Sequence, residues 1–430
     1  MTASHLLQQP LLATPLSEKS SSSVPATSAP PRELLLLLTL ATMQFVNILD
    51  FMIIMPLAPH LMRIFELDPQ HFGFLVSSYT FAAAASGFVA VFWVDRVSRK
   101  RSLLTMFGGL IVATALCGLA TSYPLLLAAR IVAGVFGGVI GALVLTIVAD
   151  VVPYARRARG TAIVAAAFSL AAVMGVPVGL WLATSFSWRA PFLVLAVFAV
   201  LLAVFAWRIL PPLDANLRDV QPHNPVAQLR ALLGVPNHLR AFAFMLALMM
   251  SVFMVVPFIA AYTVTNADVL ETELPWLYFA GGLTTLFTAQ VIGRLADRYG
   301  KKRLFTILAF ISLVPILLMT NLAPMPFAAM VAIYVLFFVF VPGRFGPAMA
   351  LMSGSVVPRL RGSFMSFSGC VQQLGAGVAS LAAGLIIGRA ADGTLTRYHW
   401  VGWCAVAFTL LAVVLARSIR VVPDGSTTTD

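Results

Sequence analysis

Acidic residues are scarce in this chain of 430: 16 Asp and Glu stand against 28 Lys and Arg, and charged residues of both signs make up 10%, where a soluble domain carries roughly 25%. So low a charge excludes a water-facing surface of ordinary composition. Cysteine is scarcer still. Cys117, Cys370 and Cys404 lie in apolar runs without paired spacing, which excludes a disulfide framework and a metal-binding cluster. No HExxH, GxSxG, CxxC or GxxxxGK string occurs. Metalloprotease, serine-hydrolase, dithiol and ATP-driven chemistry therefore lack their residues, and neither an enzyme nor a cofactor or metal is expected.

Apolar mass takes the place of charge: 60% of residues are hydrophobic and the mean hydropathy is +0.94. With 29 Gly and 26 Pro this suits a polytopic membrane chain, since neighbouring helices re-satisfy the backbone where a helix breaks. At about 20 residues per crossing there is room for about twelve helices. Apolar stretches fall near 34–58, 72–94, 102–121, 124–149, 161–185 and 188–210, then near 239–264, 275–296, 304–322, 326–354, 363–388 and 399–420. The fold class expected is all-α, twelve transmembrane helices in two pseudo-symmetric six-helix bundles, 34–210 and 239–420. Residues 1–33, rich in Ser, Thr and Pro, read as a disordered cytoplasmic tail. The polar stretch 211–238, with five prolines, reads as a cytoplasmic linker, and 421–430 as a second tail.

The net charge of +12 belongs to the membrane rather than to nucleic acid. If the N-terminus is inside, 22 of the 28 basic residues fall in the inner segments and 4 in the outer ones, with Arg130 and Arg344 left inside spans. That bias puts both termini in the cytoplasm. The halves also repeat: DRVSRKR (95–101) matches DRYGKKR (297–303), and VVPYARRARG (151–160) echoes VVPRLRG (356–362). Repeated halves place a substrate site at their interface near the bilayer midplane, reached from alternate sides as one half rocks on the other.

The loop motifs resemble the major facilitator superfamily, and within it the twelve-helix bacterial drug and sugar efflux antiporters. Gly293-Arg-Leu-Ala-Asp297-Arg298-Tyr-Gly300-Lys-Lys302 is similar to the family's GxLaDRxGRR signature; the first copy keeps Asp95, Arg96, Arg99 and Lys100 but has Val91 for the leading glycine and Ser98 for the second. Leu49-Asp50 through Pro59 resembles LDxxxxxxAlP of the first helix, Arg130-Ile-Val-Ala-Gly134 the RxxxG of the fourth, and Gly175-Val-Pro177-Val-Gly179 a relaxed GPxxGG of the fifth. The resemblance implies a bacterial inner-membrane exporter of a drug-like compound, sugar or metabolite, driven by proton antiport, with multidrug resistance within the range of the type. A functional monomer is expected. A proton-independent facilitator or importer of the same fold is the alternative. The resemblance further implies that the loop Asp caps a helix of the opposite half while its Arg pairs with an acid. Asp95 and Asp297 suit the first part; Asp150 suits the second for Arg96 or Arg99, and Ser353 or Ser355 leaves the second copy uncharged.

Asp50 is the one acid well inside a predicted span, and a carboxylate there costs several kcal/mol unless paired, hydrated or protonated. It is the candidate proton site, with Arg130 at similar depth as its partner. Helix N–H and hydroxyl groups would be the alternative partners for Asp50, and snorkelling to the surface the alternative for Arg130. Gln44 and Asn47, six and three residues before Asp50, share its face. Arg344, within Pro342-Gly-Arg344-Phe-Gly-Pro347, suits a cavity-lining cation, an anion contact or an Arg reaching the surface. Candidate substrate contacts are Gln44, Asn47, Met245, Met249, Phe253, Gln290 with Thr288, Arg344, Gln372 and Gln373, though most Met and Phe at such spacing face lipid or core. Gly134, Gly137, Gly138 and Gly141 form GxxxG spacings that allow close helix approach.

Overall fold

The computed structural model describes residues 31–213 and 225–422; the tail expected over 1–33 lies almost wholly outside the described residues, as do 214–224 of the expected linker and 423–430. The first half runs α1 (Pro31–Ile53), a short α2 (Ala58–Ile64), α3 (Pro69–Ala90), α4 (Arg99–Leu119), α5 (Tyr123–Val151), α6 (Tyr154–Leu170), α7 (Val176–Ser185) and α8 (Ala190–Ile209). The second runs α9 (Pro225–Leu233), α10 (Pro236–Phe253), α11 (Ile259–Asn266), α12 (Leu274–Tyr299), α13 (Lys301–Met319), α14 (Phe327–Gly343), α15 (Phe345–Gly354), α16 (Arg361–Ile386) and α17 (Tyr398–Ser418). A two-strand ribbon, β1 (Gly388–Arg389) and β2 (Leu395–Thr396), links α16 to α17.

Eleven helical segments among the described residues are long and apolar enough to cross a bilayer. The remaining long helix, α12, has 26 residues but carries Thr284, Thr285, Thr288 and Gln290 and ends in Arg294, Asp297 and Arg298, which lowers its hydropathy. The stretch expected as linker is partly helical. The helix α9 opens at Pro225, and α1 begins at Pro31 rather than Leu34.

Helix breaks follow from proline and glycine. Between α6 and α7 the helix widens into a π turn at Ala171–Gly175, because Pro177 has no N–H and its ring crowds the carbonyl four residues back. Gly300 takes φ 87° between α12 and α13, a turn that a side chain resists. Asp68 caps α3 by accepting from the His71 amide at 2.8 Å.

Close backbone approach joins the halves. A Cβ on Gly73 of α3 would stand 2.9 Å from the Ser380 carbonyl oxygen, and one on Gly384 of α16 2.7 Å from that of Pro69. On the other flank, a Cβ on Gly282 of α12 would lie 2.8 Å from Ala172 O at the π turn. Phe51 meets Phe253 with centroids 5.9 Å apart, and Phe72 meets Phe258 at 5.6 Å.

At the end of the bundle away from the basic loops, the halves share one charged cluster. Glu271, between α11 and α12, accepts from Arg63 Nη1 at 2.8 Å and Nη2 at 3.0 Å, and its Oε2 lies 2.9 Å from His60 Nε2 on α2. Burial pushes the Glu271 carboxyl up, but the hydrogen bonds and charges of His60 and Arg63 outweigh it and hold the group below its usual value of 4.5. A depressed carboxylate contributes its tie above 4.5 and loses it as pH falls through the folded value. Spin labels at Gln70→Cys and Leu270→Cys are expected to keep one separation from neutral pH down to that value. They should drift apart in stronger acid, and at every pH once Glu271→Gln is added; a separation unaffected by Glu271→Gln would show that the cluster does not hold this end.

Candidate functional site

Asp50 lies in the last turn of α1, where backbone carbonyls run out of helical N–H partners. Arg130, seven residues into α5, fills that gap. Its Nη1 donates to the Asp50 carbonyl oxygen at 3.0 Å and to Oδ2 of the side chain at 3.1 Å. Thr114 of α4 donates to Oδ1 at 2.7 Å. Both charged side chains are wholly buried, and the guanidinium carbon stands 4.4 Å from the centroid of the Tyr79 ring on α3. Four helices thus converge on one ion pair, and the arginine is packed beneath an aromatic face instead of snorkelling to the surface.

Small residues make that convergence possible. A Cβ on Gly134 would overlap the Tyr79 carbonyl, and one on Gly138 would stand 2.5 Å from Ala83 O, so α5 lies directly on α3 and brings Tyr79 under Arg130. Gly175 sits against Leu49, whose Cδ1 would be 2.9 Å from an added Cβ, and Gly179 against Ile53. With buried Pro177 between them, they seat α1 on the α6–α7 break. Gln44 and Asn47 follow the Asp50 face of α1: Gln44 is half-buried and Asn47 is 9% exposed.

The second half holds a related arrangement without an acid. Arg344 interrupts the α14–α15 helix and is wholly buried. It donates from Nε to Val341 O at 3.2 Å, from Nη1 to Thr409 Oγ1 at 3.0 Å and from Nη2 to Ser251 Oγ at 2.9 Å. The expectation of a cavity-lining or surface-reaching cation is corrected here, because α10 and α17 supply hydroxyls that enclose the guanidinium. Met245 and Met249 are corrected likewise; at 0% and 3% exposure they pack in the second-half core with Phe242, Phe244 and Leu248. Phe253 remains half-buried at the seam against Phe51. Gln372 and Gln373 are half-buried on α16, and Gln290 is exposed on α12. Thr288 and Gly293, with Asp297, line a groove between α12 and α14–α15.

In the loops, Arg99 Nε lies 3.5 Å from Asp150 Oδ2, while Arg96 is exposed. The side chain of Asp95 lies outside the described residues. In the second copy Asp297 and Arg298 are exposed. Ser353 and Ser355 donate to carbonyls of Ala350 and Met352 within their own turn, so neither holds the loop. Thr114, Tyr79, Ser251 and Thr409 escaped the sequence reading. A hydroxyl within an apolar span has many structural uses, such as bonding the carbonyl four residues back; Leu110 O lies 2.8 Å from Thr114 Oγ1 and competes with Asp50 for its one proton.

Comparison with known proteins follows the same lines. The family model described as "Major Facilitator Superfamily" matches residues 40–270 and 241–429. The "Uncharacterized MFS-type transporter YceJ" of Bacillus subtilis is 29% identical over 44% of this chain and 46% of its own length. The "Probable sugar efflux transporter" of Helicobacter pylori (strain G27) is 23% identical over 55% of the chain and 60% of its own. The matched stretches thus span about half to three-fifths of these relatives. Among solved structures, a D-xylose-proton symporter superposes with TM-score 0.72 at 17% identity, covering 91% of this chain and 98% of the other. A bacterial homologue of the human lysosomal transporter Spinster gives 0.70 at 16%, covering 91% and 97%.

Removing one member of a buried ion pair strands the other's charge, at a cost of about 3–5 kcal/mol. Arg130→Met is therefore expected to lower unfolding stability in detergent by that order, and Arg130→Met with Asp50→Asn to recover much of it. If the single and double variants unfold alike, the pair does not couple as its geometry requires.

Proposed function

We propose that this chain, which belongs to the Major Facilitator Superfamily, is a proton-coupled exporter of a small organic compound, sugar-like or drug-like. Names among its relatives, "Probable sugar efflux transporter", support the sugar class. The basic loops support an orientation with both termini on the cytoplasmic side of a bacterial inner membrane. It works as a monomer with protons and one small molecule as its partners.

The observation that carries the proton reading is the wholly buried Asp50–Arg130 pair at 3.1 Å. A carboxylate at that depth has two electrically tolerable states: ionised and held by Arg130, or protonated and released from it. In the cycle, Asp50 takes a proton from the outer side as substrate leaves. Neutralised, it frees Arg130 to turn within its polar neighbours, and the change of partner biases the two halves toward the opposite opening. Facing the cytoplasm, Asp50 gives up the proton as the next substrate binds. The second half, with Ser251 and Thr409 around Arg344, contributes no titrating partner, which favours a single coupling site. The loop residues Asp95, Arg96, Arg99 and Asp150, with Gly293, Asp297, Arg298 and Gly300, act on the balance between openings. Phe253, Gln290, Gln372 and Gln373 are the remaining candidates for substrate contact.

The test is purified protein in vesicles with a radiolabelled pentose and hexose panel and an imposed pH gradient. Asp50→Asn is expected to lower proton-driven accumulation by about a hundredfold while exchange of substrate at equal pH survives. Full accumulation by Asp50→Asn would remove the coupling assignment, and substrate equilibration with neither accumulation nor proton movement would favour the facilitator.

A further inference from the structure

Among the described residues, the fully buried side chains of Asp, Glu, Lys or Arg are those of Asp50, Arg130 and Arg344. Asp50 and Arg130 cancel each other as an ion pair. Arg344 is held by neutral partners, Val341 O and the hydroxyls of Thr409 and Ser251, so one positive charge is left over inside the apolar body of the protein. A guanidinium keeps its proton in proteins, and hydroxyls turn their dipoles toward a buried cation without cancelling its charge. An intramembrane cation without a counter-charge marks a route for something that supplies one.

A groove of about 280 Å3 runs past the same point, close to the lower bound of small-molecule sites. Thr285, Thr288 and Gly293 of α12 form one wall, and Gly343, Gly346 and Pro347, on either side of Arg344, form the other. Leu283, Phe287 and Val291, exposed at intervals of four, mark the side of α12 that faces lipid. The groove lies on the opposite side. Thr285, Ala289 and Gly293 continue the stripe of Gly282, which meets the first half at Ala172 O. A Cβ added to Gly293 or to Gly346 would find nothing within 4 Å, so the groove opens toward the space between the halves, where repeated folds place their substrate. The hydroxyls of Thr285 and Thr288 now bond the carbonyls of Gly281 and Thr284 and are free to rotate toward a ligand. At the cytoplasmic mouth Asp297 and Lys301, both exposed, balance each other in charge.

We infer that the transported compound is a small organic anion with a single negative charge, drawn into this groove by the uncancelled charge of Arg344. Within the sugar-like or drug-like range, that selects acids. Arg344 is then a specificity-determining residue that acts through the wall of the groove, to which it lends its backbone, while its side chain points away to α10 and α17. At about 10 Å and an effective dielectric of about 20, one charge favours an anion over a neutral compound of the same shape by about tenfold and disfavours a cation by as much. A membrane potential that is negative inside drives such an anion outward. The inference deepens the export reading and rests on it for direction alone.

The test uses the full chain in lipid nanodiscs and two sets of probes matched in shape: galactose, galacturonate and galactosamine, and benzyl alcohol, benzoate and benzylamine. Each is titrated by calorimetry at constant ionic strength. Within a set the anion is expected to bind about tenfold tighter than the neutral member, and the cation most weakly. Arg344→Gln should bring anion and neutral member level, and Arg344→Lys, which keeps the charge but not the bonds, should retain the preference. Gly346→Asp, at a position with room for a side chain, should abolish anion binding where Gly346→Asn does not; this pair serves if Arg344→Gln does not fold, as judged by thermal unfolding. A preference unchanged by Arg344→Gln or by Gly346→Asp overturns the inference, as does failure of both anions to bind at millimolar concentration. In vesicles at equal pH, an inside-negative potential is expected to speed efflux of the bound anion and not of its neutral partner. Anion binding that depends on Arg344 without any efflux leaves the charge selection standing and removes the export reading.

Discussion

A carboxylate and a guanidinium, stripped of water and held 3.1 Å apart, impose the conditions that the first half of this protein satisfies. In a membrane neither charge can be left alone, so every group around the pair must be either its partner or small enough to let a partner in. Arg130 spends one nitrogen on both the carbonyl and the carboxylate of Asp50, Thr114 answers the other carboxylate oxygen, and Tyr79 lies under the guanidinium. Tyr79 reaches that place because Gly134 and Gly138 let α5 press onto α3. The small-residue seams and the charge pair are one design: the seams set the distances at which the pair is tolerable.

The second half meets the same constraint differently. Arg344 also sits at a helix interruption, but Ser251 and Thr409 meet it with hydroxyls, and they bond each other at 2.6 Å. A neutral cage carries no proton to exchange, so the repeat is geometrical without being chemical. An ion pair in one half and a cation held by hydroxyls in the other make the two halves electrically unequal. The seams between halves, Gly73 with Gly384 and Gly282 with Val173, are backbone contacts with little side chain to rearrange, suited to surfaces that rock.

Much of this was legible in the chain. Apolar runs of helical length, the placement of basic residues and the repeated loop motif led to a helical membrane fold, since lipid leaves so few alternatives. Only α12 blurred the count, its threonines and Gln290 thinning the apolar signal. Asp50 announced itself by rarity, and Arg130 by lying at matching depth. Met245 and Met249 did not declare themselves as core, because a methionine has the same spacing whether it faces a ligand or another helix. Arg344 looked open to a cavity, since nothing in its local sequence points to Ser251, 93 positions away, or Thr409, 65 away.

The sequence by itself determined solvent, helix and topology, because the cost of burying charge and unpaired backbone in lipid is a property of each residue and its near neighbours. Which buried charge is paired, and by what, was decided only by tertiary structure. Pairing depends on distances between helices far apart in the chain, and hydroxyls such as Thr114 and close approaches such as that at Gly137 acquire their meaning from what the fold sets opposite them.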